Sequence, residues 1–260
     1  MRLLAFIRGV LFSCLCLLSL HATAQRSGDL LKKEYLSNPG LDQQDIVADL
    51  IRHDLSVLFT KTPADRILGF IGEEYQRIHV RFISVIRNHN NPSEYFLYGK
   101  SMVKGNVCDF QGTLTMTNAY RWQQSDVPDL KQGILIGTYR LFENPQQRHV
   151  GTFSGTFVSK WYLDKGGVLH YDDLAAAADG YSNNQFAGIW RNYSGSSVRP
   201  CHWGDGRIPL SGDLDTGAGE FFPDKKYHVN GWTNYVNAFG GSGANSDAAR
   251  AREKHPWWKD

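Results

Sequence analysis

Between Arg77 and about Trp203 the side chains alternate apolar and polar, residue by residue. Ile78, Val80 and Phe82 alternate with His79, Arg81 and Ile83. Cys108, Phe110, Gly112, Leu114 and Met116 alternate with Asp109, Gln111, Thr113, Thr115 and Thr117. Phe153, Gly155, Phe157 and Trp161 alternate with Thr152, Ser154, Thr156 and Lys160. A period of two sends the two sets to opposite faces of an extended chain, so the pattern predicts half-buried strands. Turn residues separate the runs: His89-Asn90-Asn91-Pro92, Lys104-Gly105-Asn106, Asn144-Pro145-Gln146 and Lys165-Gly166-Gly167. About eight strands are expected, over 77–87, 94–104, 107–118, 133–142, 149–163, 168–171, 185–193 and 198–204. The connections are short and no long helical segment intervenes, which predicts an antiparallel meander and argues against a parallel βαβ sheet. Asp172 to Asp179, with four alanines in a row, predicts one short inserted helix.

Eight strands with one apolar face need a cover for it. Closing the sheet into an up-and-down barrel supplies the cover and removes the edges. A two-sheet sandwich also supplies it and is the alternative. The expected fold is therefore mainly β, with a barrel-like domain over 70–239. Residues 25–69 read as helical. Ile46, Val47, Leu50, Ile51, Leu55 and Leu58 recur at helical spacing, Asp42, Asp45, Asp49, Arg52 and Asp54 take the other face, and Pro63 ends the run. Residues 240–260 read as a flexible tail opening on Gly240-Gly241-Ser242-Gly243. Within it, Ala248 to Lys254 has the length of two helical turns, and Trp257 and Trp258 are candidates to dock on the body or on a partner.

Residues 1–24 read as a cleaved secretory leader. Arg2 and Arg8 are their only charges, Val10 to Leu20 is a short apolar run, and Ala22-Thr23-Ala24 is a small-x-small cleavage site. The run is too short to span a bilayer, which needs ~20 apolar residues. The mature chain is then expected in the periplasm or outside the cell, with no transmembrane segment. Without the leader the basic and acidic residues balance at 26 each. No Lys/Arg cluster marks a nucleic-acid surface. Cys14 and Cys16 go with the leader, leaving Cys108 and Cys201. In an oxidising compartment an even pair predicts a disulfide, against the alternative of two buried thiols.

The sequence holds no HExxH, GxSxG, CxxC, P-loop or dinucleotide GxGxxG. Cys201-His202-Trp203-Gly204-Asp205 gathers a thiol, an imidazole and a carboxylate, but strand neighbours point to opposite faces. Asp213, Asp215 and Glu220 lie in an acid- and glycine-rich loop, Ser211 to Glu220, of the kind that holds Ca²⁺. A solvated turn is the alternative, since Gly217 and Ala218 break the EF-hand pattern. Asp213 with Glu220 would be the acid pair of a glycosidase. No other cofactor is indicated. Tyr98, Phe153, Phe157, Trp161, Phe186 and Trp190 fall on expected strands. They line a pocket if the barrel is wide and fill the core if it is narrow. Aromatics on the opposite face could stack on sugar rings. Asn192-Tyr193-Ser194 is a glycosylation sequon, relevant in a eukaryotic source.

The order of helix then up-and-down strands, with Gly188-Ile189-Trp190 and Arg191, resembles the calycin group, which includes the lipocalins, with their Gly-x-Trp motif and the arginine that packs on it. Here the motif lies late in the chain, and the early Gly69-Phe70-Ile71-Gly72 lacks the tryptophan. The resemblance implies a barrel that holds a small apolar or amphipathic ligand. Gly69 to Gly112 also resembles secreted bacterial proteins, which implies a compartment and no activity. Three functions follow as expectations. The first is an extracytoplasmic protein that binds a small molecule inside its barrel. The second is a solid-core interaction module for a protein or glycan partner, with exposed aromatics and no cavity. The third is a hydrolase using Asp213, Asp215, Glu220 or His202.

Overall fold

The computed structural model describes residues 26–259. The expected leader, its cleavage site, Cys14 and Cys16 lie outside them. Ten strands follow in order: β1 (Ile67–Ile71), β2 (Gln76–Arg77), β3 (His79–Arg87), β4 (Glu94–Val103), β5 (Asn106–Arg121), β6 (Lys131–Glu143), β7 (Gly151–Leu163), β8 (Leu169–Tyr171), β9 (Asn183–Asn192) and β10 (Val198–Asp205). They pair antiparallel in the order β2-β1-β10-β9-β7-β6-β5-β4-β3, with β8 added to β7. The sheet curls into a half-barrel. Its two ends are consecutive in the chain. Only Ile78 separates β2 from β3, and its amide donates to Gly69 O at 3.0 Å. The mainly-β antiparallel architecture is as expected, and the eight expected strands are β3 to β10.

β1 escapes the alternation rule because both its faces are covered. Ile67 and Ile71 pack with the barrel interior, while Leu68 and Phe70 join an outer cluster with Phe221, Trp232 and Tyr235. A strand buried on both sides reads as an unbroken apolar run. The same logic explains Ile134-Leu135-Ile136, all buried. Leu135 faces the interior. Ile134 and Ile136 lie in a third cluster with Val158, Ala187 and Leu31, the last from a helix over 26–36, α1. α1 sits close on the sheet at Gly28, where a Cβ would come within 2.3 Å of Thr156 Oγ1.

The single amphipathic helix expected over Ile46 to Leu58 is instead two one-turn pieces, α2 (Val47–Leu50) and α3 (Val57–Thr60). Aspartates interrupt it. Asp45 Oδ1 accepts from Val47 N and Asp54 Oδ1 from Ser56 N, both at 3.0 Å, offering the backbone a non-helical arrangement. Leu55 N donates to Tyr95 Oη at 2.8 Å. Ile46, Leu50, Leu55, Leu58 and Phe59 still bury against the interior and strap its open side. Asp172 to Asp179 forms successive turns, not the expected helix.

Residues 240–260 were expected to be a flexible tail. In the structure α5 (Ala244–Lys254) packs on α4 (Thr233–Phe239), with Asn234 Nδ2 donating to Ala249 O at 3.1 Å. Beyond it Trp257 meets the His79 ring edge-on at 5.9 Å, and the Arg81 guanidinium lies 5.0 Å over Trp258. No helix among the described residues is long and apolar enough to cross a membrane.

The expected Cys108–Cys201 bridge is absent, and both thiols are free and buried. Cys108 is on β5 and Cys201 on β10, with β6, β7 and β9 between them in the sheet. Burial pushes Cys108 up to about 11 and Cys201 well above the ordinary thiol range. Such thiols are poor nucleophiles. Iodoacetamide is therefore expected to leave both intact in the folded protein and to modify both after unfolding without reductant. A mass spectrum showing neither modified in the unfolded, unreduced chain would mean that they are bridged.

Candidate functional site

The interior of the half-barrel is filled by rings. Phe186 stacks on Phe157 at 5.3 Å and on Trp203 at 4.9 Å, and it meets Phe82 and Tyr139 edge-on. Phe153 touches Phe110 and Trp203 edge-on, and Trp161 is fully buried. Inward glycines on neighbouring strands make the room. A Cβ at Gly137 would lie 2.4 Å from Phe157 Cζ, and one at Gly133 would lie 2.5 Å from Trp161 Cζ2. Of the six expected ligand-wall residues, Phe153, Phe157, Trp161 and Phe186 are thus brought together as core.

Polar groups sit at both ends of this core. At one end Glu143 is buried and accepts from Ser101 Oγ (2.6 Å), Gly151 N (2.8 Å) and Trp190 Nε1 (2.9 Å). Burial holds its carboxyl above the usual range, although all three donors oppose that shift. This is where Trp190 of the Gly-x-Trp sequence points. Arg191 is the next residue on the strand and lies on the opposite face, paired with Thr152 and Val198. At the other end Asp205 is buried. It accepts from Arg66 Nε (2.8 Å), Arg66 Nη2 (2.7 Å) and Tyr171 Oη (2.5 Å). Burial raises its carboxyl against the pull of Tyr171 and Arg66. Beside it lies a pocket of about 20 Å³ at the seam between β1 and β3, lined in part by Phe59, Thr62, Asn184, Phe186 and Asp205. That is room for about one water molecule.

The outer face is different. α1 covers one end of β6, β7 and β9, at Ile134, Ile136, Val158 and Ala187, and a segment that includes Phe221, Trp232 and Tyr235 covers β1. Beside them a strip across β3 to β6 stays bare, and it continues through half-buried Thr152 on β7 to half-buried Arg191 on β9. Ile86, Phe96, Tyr98 and Phe142 are 59%, 49%, 41% and 43% exposed there. The strand registers fix two adjacent rows on this face. One runs Ile86, Phe96, Thr113, Arg140, Ser154; the next runs Ser84, Tyr98, Gln111, Phe142, Thr152, Arg191. Tyr98 is the one expected ligand residue on this strip, with its hydroxyl donating to Asp109 Oδ1 at 3.0 Å.

The chain matches no family model, no curated protein and no solved structure. The likeness to calycins therefore rests on the curled antiparallel sheet alone.

The acidic loop does not assemble the expected metal site. Asp215 takes Arg207 Nη1 at 2.6 Å and accepts from the amides of Gly217 and Phe222. Asp213 takes Lys226 Nζ at 2.6 Å and the Tyr227 hydroxyl at 3.0 Å. Each is bound to a different cation, and Glu220 joins neither. Among the described residues no three His, Cys, Asp or Glu side chains are placed to hold a metal ion. His202 is buried on the outer side, with Nδ1 3.1 Å from Pro209 O, away from these acids. Sequence reasoning missed Glu143, Arg66 and the role of Phe96 and Phe142. Glu143 did carry a signal, since it follows Tyr139 and Leu141 at the inward parity of β6. Arg66 carried none, because its partner is far away in the chain.

Proposed function

We propose that this is an extracytoplasmic binding module with a solid core, whose bare outer strip holds a carbohydrate. The observation that carries the reading is the exposure of Phe96, Tyr98 and Phe142 on the stretch of sheet that no helix covers. Exposed rings on a rigid sheet stack on the C–H faces of pyranose rings at little entropic cost. Gln111 and Thr113, on the strand between them, and Thr152, next to Phe142 on the following strand, supply donors and acceptors for sugar hydroxyls. The packed interior leaves no comparable space for an amphipathic ligand. The leader supports a location outside the cytosol. One observation favours a second reading, in which the seam pocket takes a small donor group: the buried Asn184 Oδ1 has no partner there.

The test is a titration of the mature protein against a panel of soluble polysaccharides. Binding is expected, weakened about tenfold or more by Tyr98→Ala or Phe142→Ala, as for central aromatic anchors. Both positions are exposed, so the variants should keep the wild-type thermal midpoint. Failure of every glycan to bind, or wild-type affinity in the double variant, would end the carbohydrate reading.

A further inference from the structure

We infer that the carbohydrate held on this strip is acidic, a polysaccharide bearing carboxylates on its sugars. The inference rests on the carbohydrate reading above and adds its charge. Arg140 and Arg191 stand on the outer face beside Phe142: Arg140 two residues away on β6, Arg191 two strands away across Thr152. Strand geometry puts them about 7 Å and about 10 Å from Phe142. Neither guanidinium has a hydrogen-bond or ion-pair partner among the described residues. The acids of the strip are already engaged. Glu94 accepts from Asn88 Nδ2 at 2.8 Å, and Asp109 is shared by Tyr98, Gln147 and Lys100. The strip thus presents two unpaired cations and no unpaired anion in a protein whose expected mature form is near neutral.

Arginine is suited to this partner. Its planar fork binds carboxylate bidentately, and each such bond is charge-assisted. The row Tyr98, Gln111, Phe142, Thr152, Arg191 crosses five strands, about 19 Å at ~4.8 Å each. Rings at Tyr98 and Phe142 would stack on sugars, and the guanidinium groups would meet carboxylates displayed at the ring edges. A partner with charge alone would have no use for the two aromatics, and a neutral glycan would use the two arginines as hydrogen-bond donors and not as charges.

The experiment uses the mature protein and three uronate polysaccharides, polygalacturonate, alginate and hyaluronate, each beside its carboxyl-reduced neutral form. At least one acidic form is expected to bind about tenfold tighter than its reduced form. Arg140→Gln with Arg191→Gln should remove that difference and leave binding of the reduced form unchanged. Raising salt from 0.05 to 0.5 M should do the same, since the Debye length then falls well below ~10 Å. Equal binding of the acidic and reduced forms overturns the charge inference and leaves the carbohydrate reading standing. If no uronate binds while a neutral glycan of the earlier panel does, the charge inference alone falls. If nothing in either panel binds, both fall. Polyglutamate binding as tightly as the best uronate, unaffected by Tyr98→Ala, would point to an acidic protein and overturn the inference.

Discussion

Glu253→Ala is expected to lower the unfolding free energy by about 3–5 kcal/mol, the usual consequence of stranding one member of a buried ion pair. Arg77 and Glu253 are 5% and 4% exposed and join through two bonds, 2.9 and 2.5 Å. Asn234 Nδ2 adds a third to the carboxylate at 2.6 Å, and the guanidinium lies 5.1 Å over Trp232 and 5.4 Å over Tyr235. This cluster ties α5 to the edge of the sheet, so its loss should also free Trp257 and Trp258. In a chain of this size the thermal midpoint would fall by roughly 6 to 20 °C. The control is Arg77→Met with Glu253→Leu, which removes both charges and should be far milder than the single change. Urea melts of the three proteins decide it. A single variant within ~0.5 kcal/mol of wild type would mean that the C-terminal helix is not docked in solution.

The same contact makes the fold sensitive to acid. Burial alone would raise the Glu253 carboxyl, but the hydrogen bonds and charge of Arg77, with Asn234, hold it below the usual range. Its stabilisation is therefore present above the unfolded value of ~4.3 and is lost as pH falls through the folded one. His79, desolvated and facing Arg77, is held down to about 3 even with Glu253 beside it. His202 is held down to about 4 by burial. Both are neutral in the fold, whereas the unfolded chain protonates them near ~6.5. At these two histidines the unfolded state thus binds more protons throughout this range, a contribution that lowers stability as pH drops from ~6.5 toward 4, while the raised carboxyls of Glu143 and Asp205 oppose it.

The strands were legible where one face is wet. β3, β4, β5 and β7 show the alternation because their outer residues meet water or carry polar groups. β1 was not, because the C-terminal segment that covers its outer face lies more than a hundred residues on. A local pattern cannot register a distant cover. The thiol pairing was illegible for a related reason. Whether two cysteines meet depends on sheet order, and three strands stand between β5 and β10. The bare strip was half legible. Tyr95-Phe96-Leu97-Tyr98 is an unbroken apolar run, so its parity is undefined until the register is known. The pairing of Tyr95 with Leu114 and of Phe96 with Thr113 resolves it, sending Tyr95 inward to full burial and Phe96 and Tyr98 outward. A one-residue slip would exchange core and strip.

Phe186→Ala is the change that separates a filled barrel from a hollow one. Phe186 is 1% exposed and touches four rings, those of Phe82, Tyr139, Phe157 and Trp203. In a packed core its removal forfeits the ring's transfer energy and leaves a cavity, together about 3–5 kcal/mol. A residue on the wall of an empty lumen would cost far less, because few atoms lie against it. The new space would adjoin the seam pocket, which Phe186 also lines. Its walls are otherwise largely aromatic and aliphatic, so it should stay dry and take up a small apolar molecule. Benzene is then expected to raise the thermal midpoint of the variant and leave the wild type unmoved. Glycan affinity of the folded variant should match wild type, since the strip lies on the other side of the sheet. A loss below ~1 kcal/mol, or benzene stabilising the wild type equally, would return the binding site to the interior.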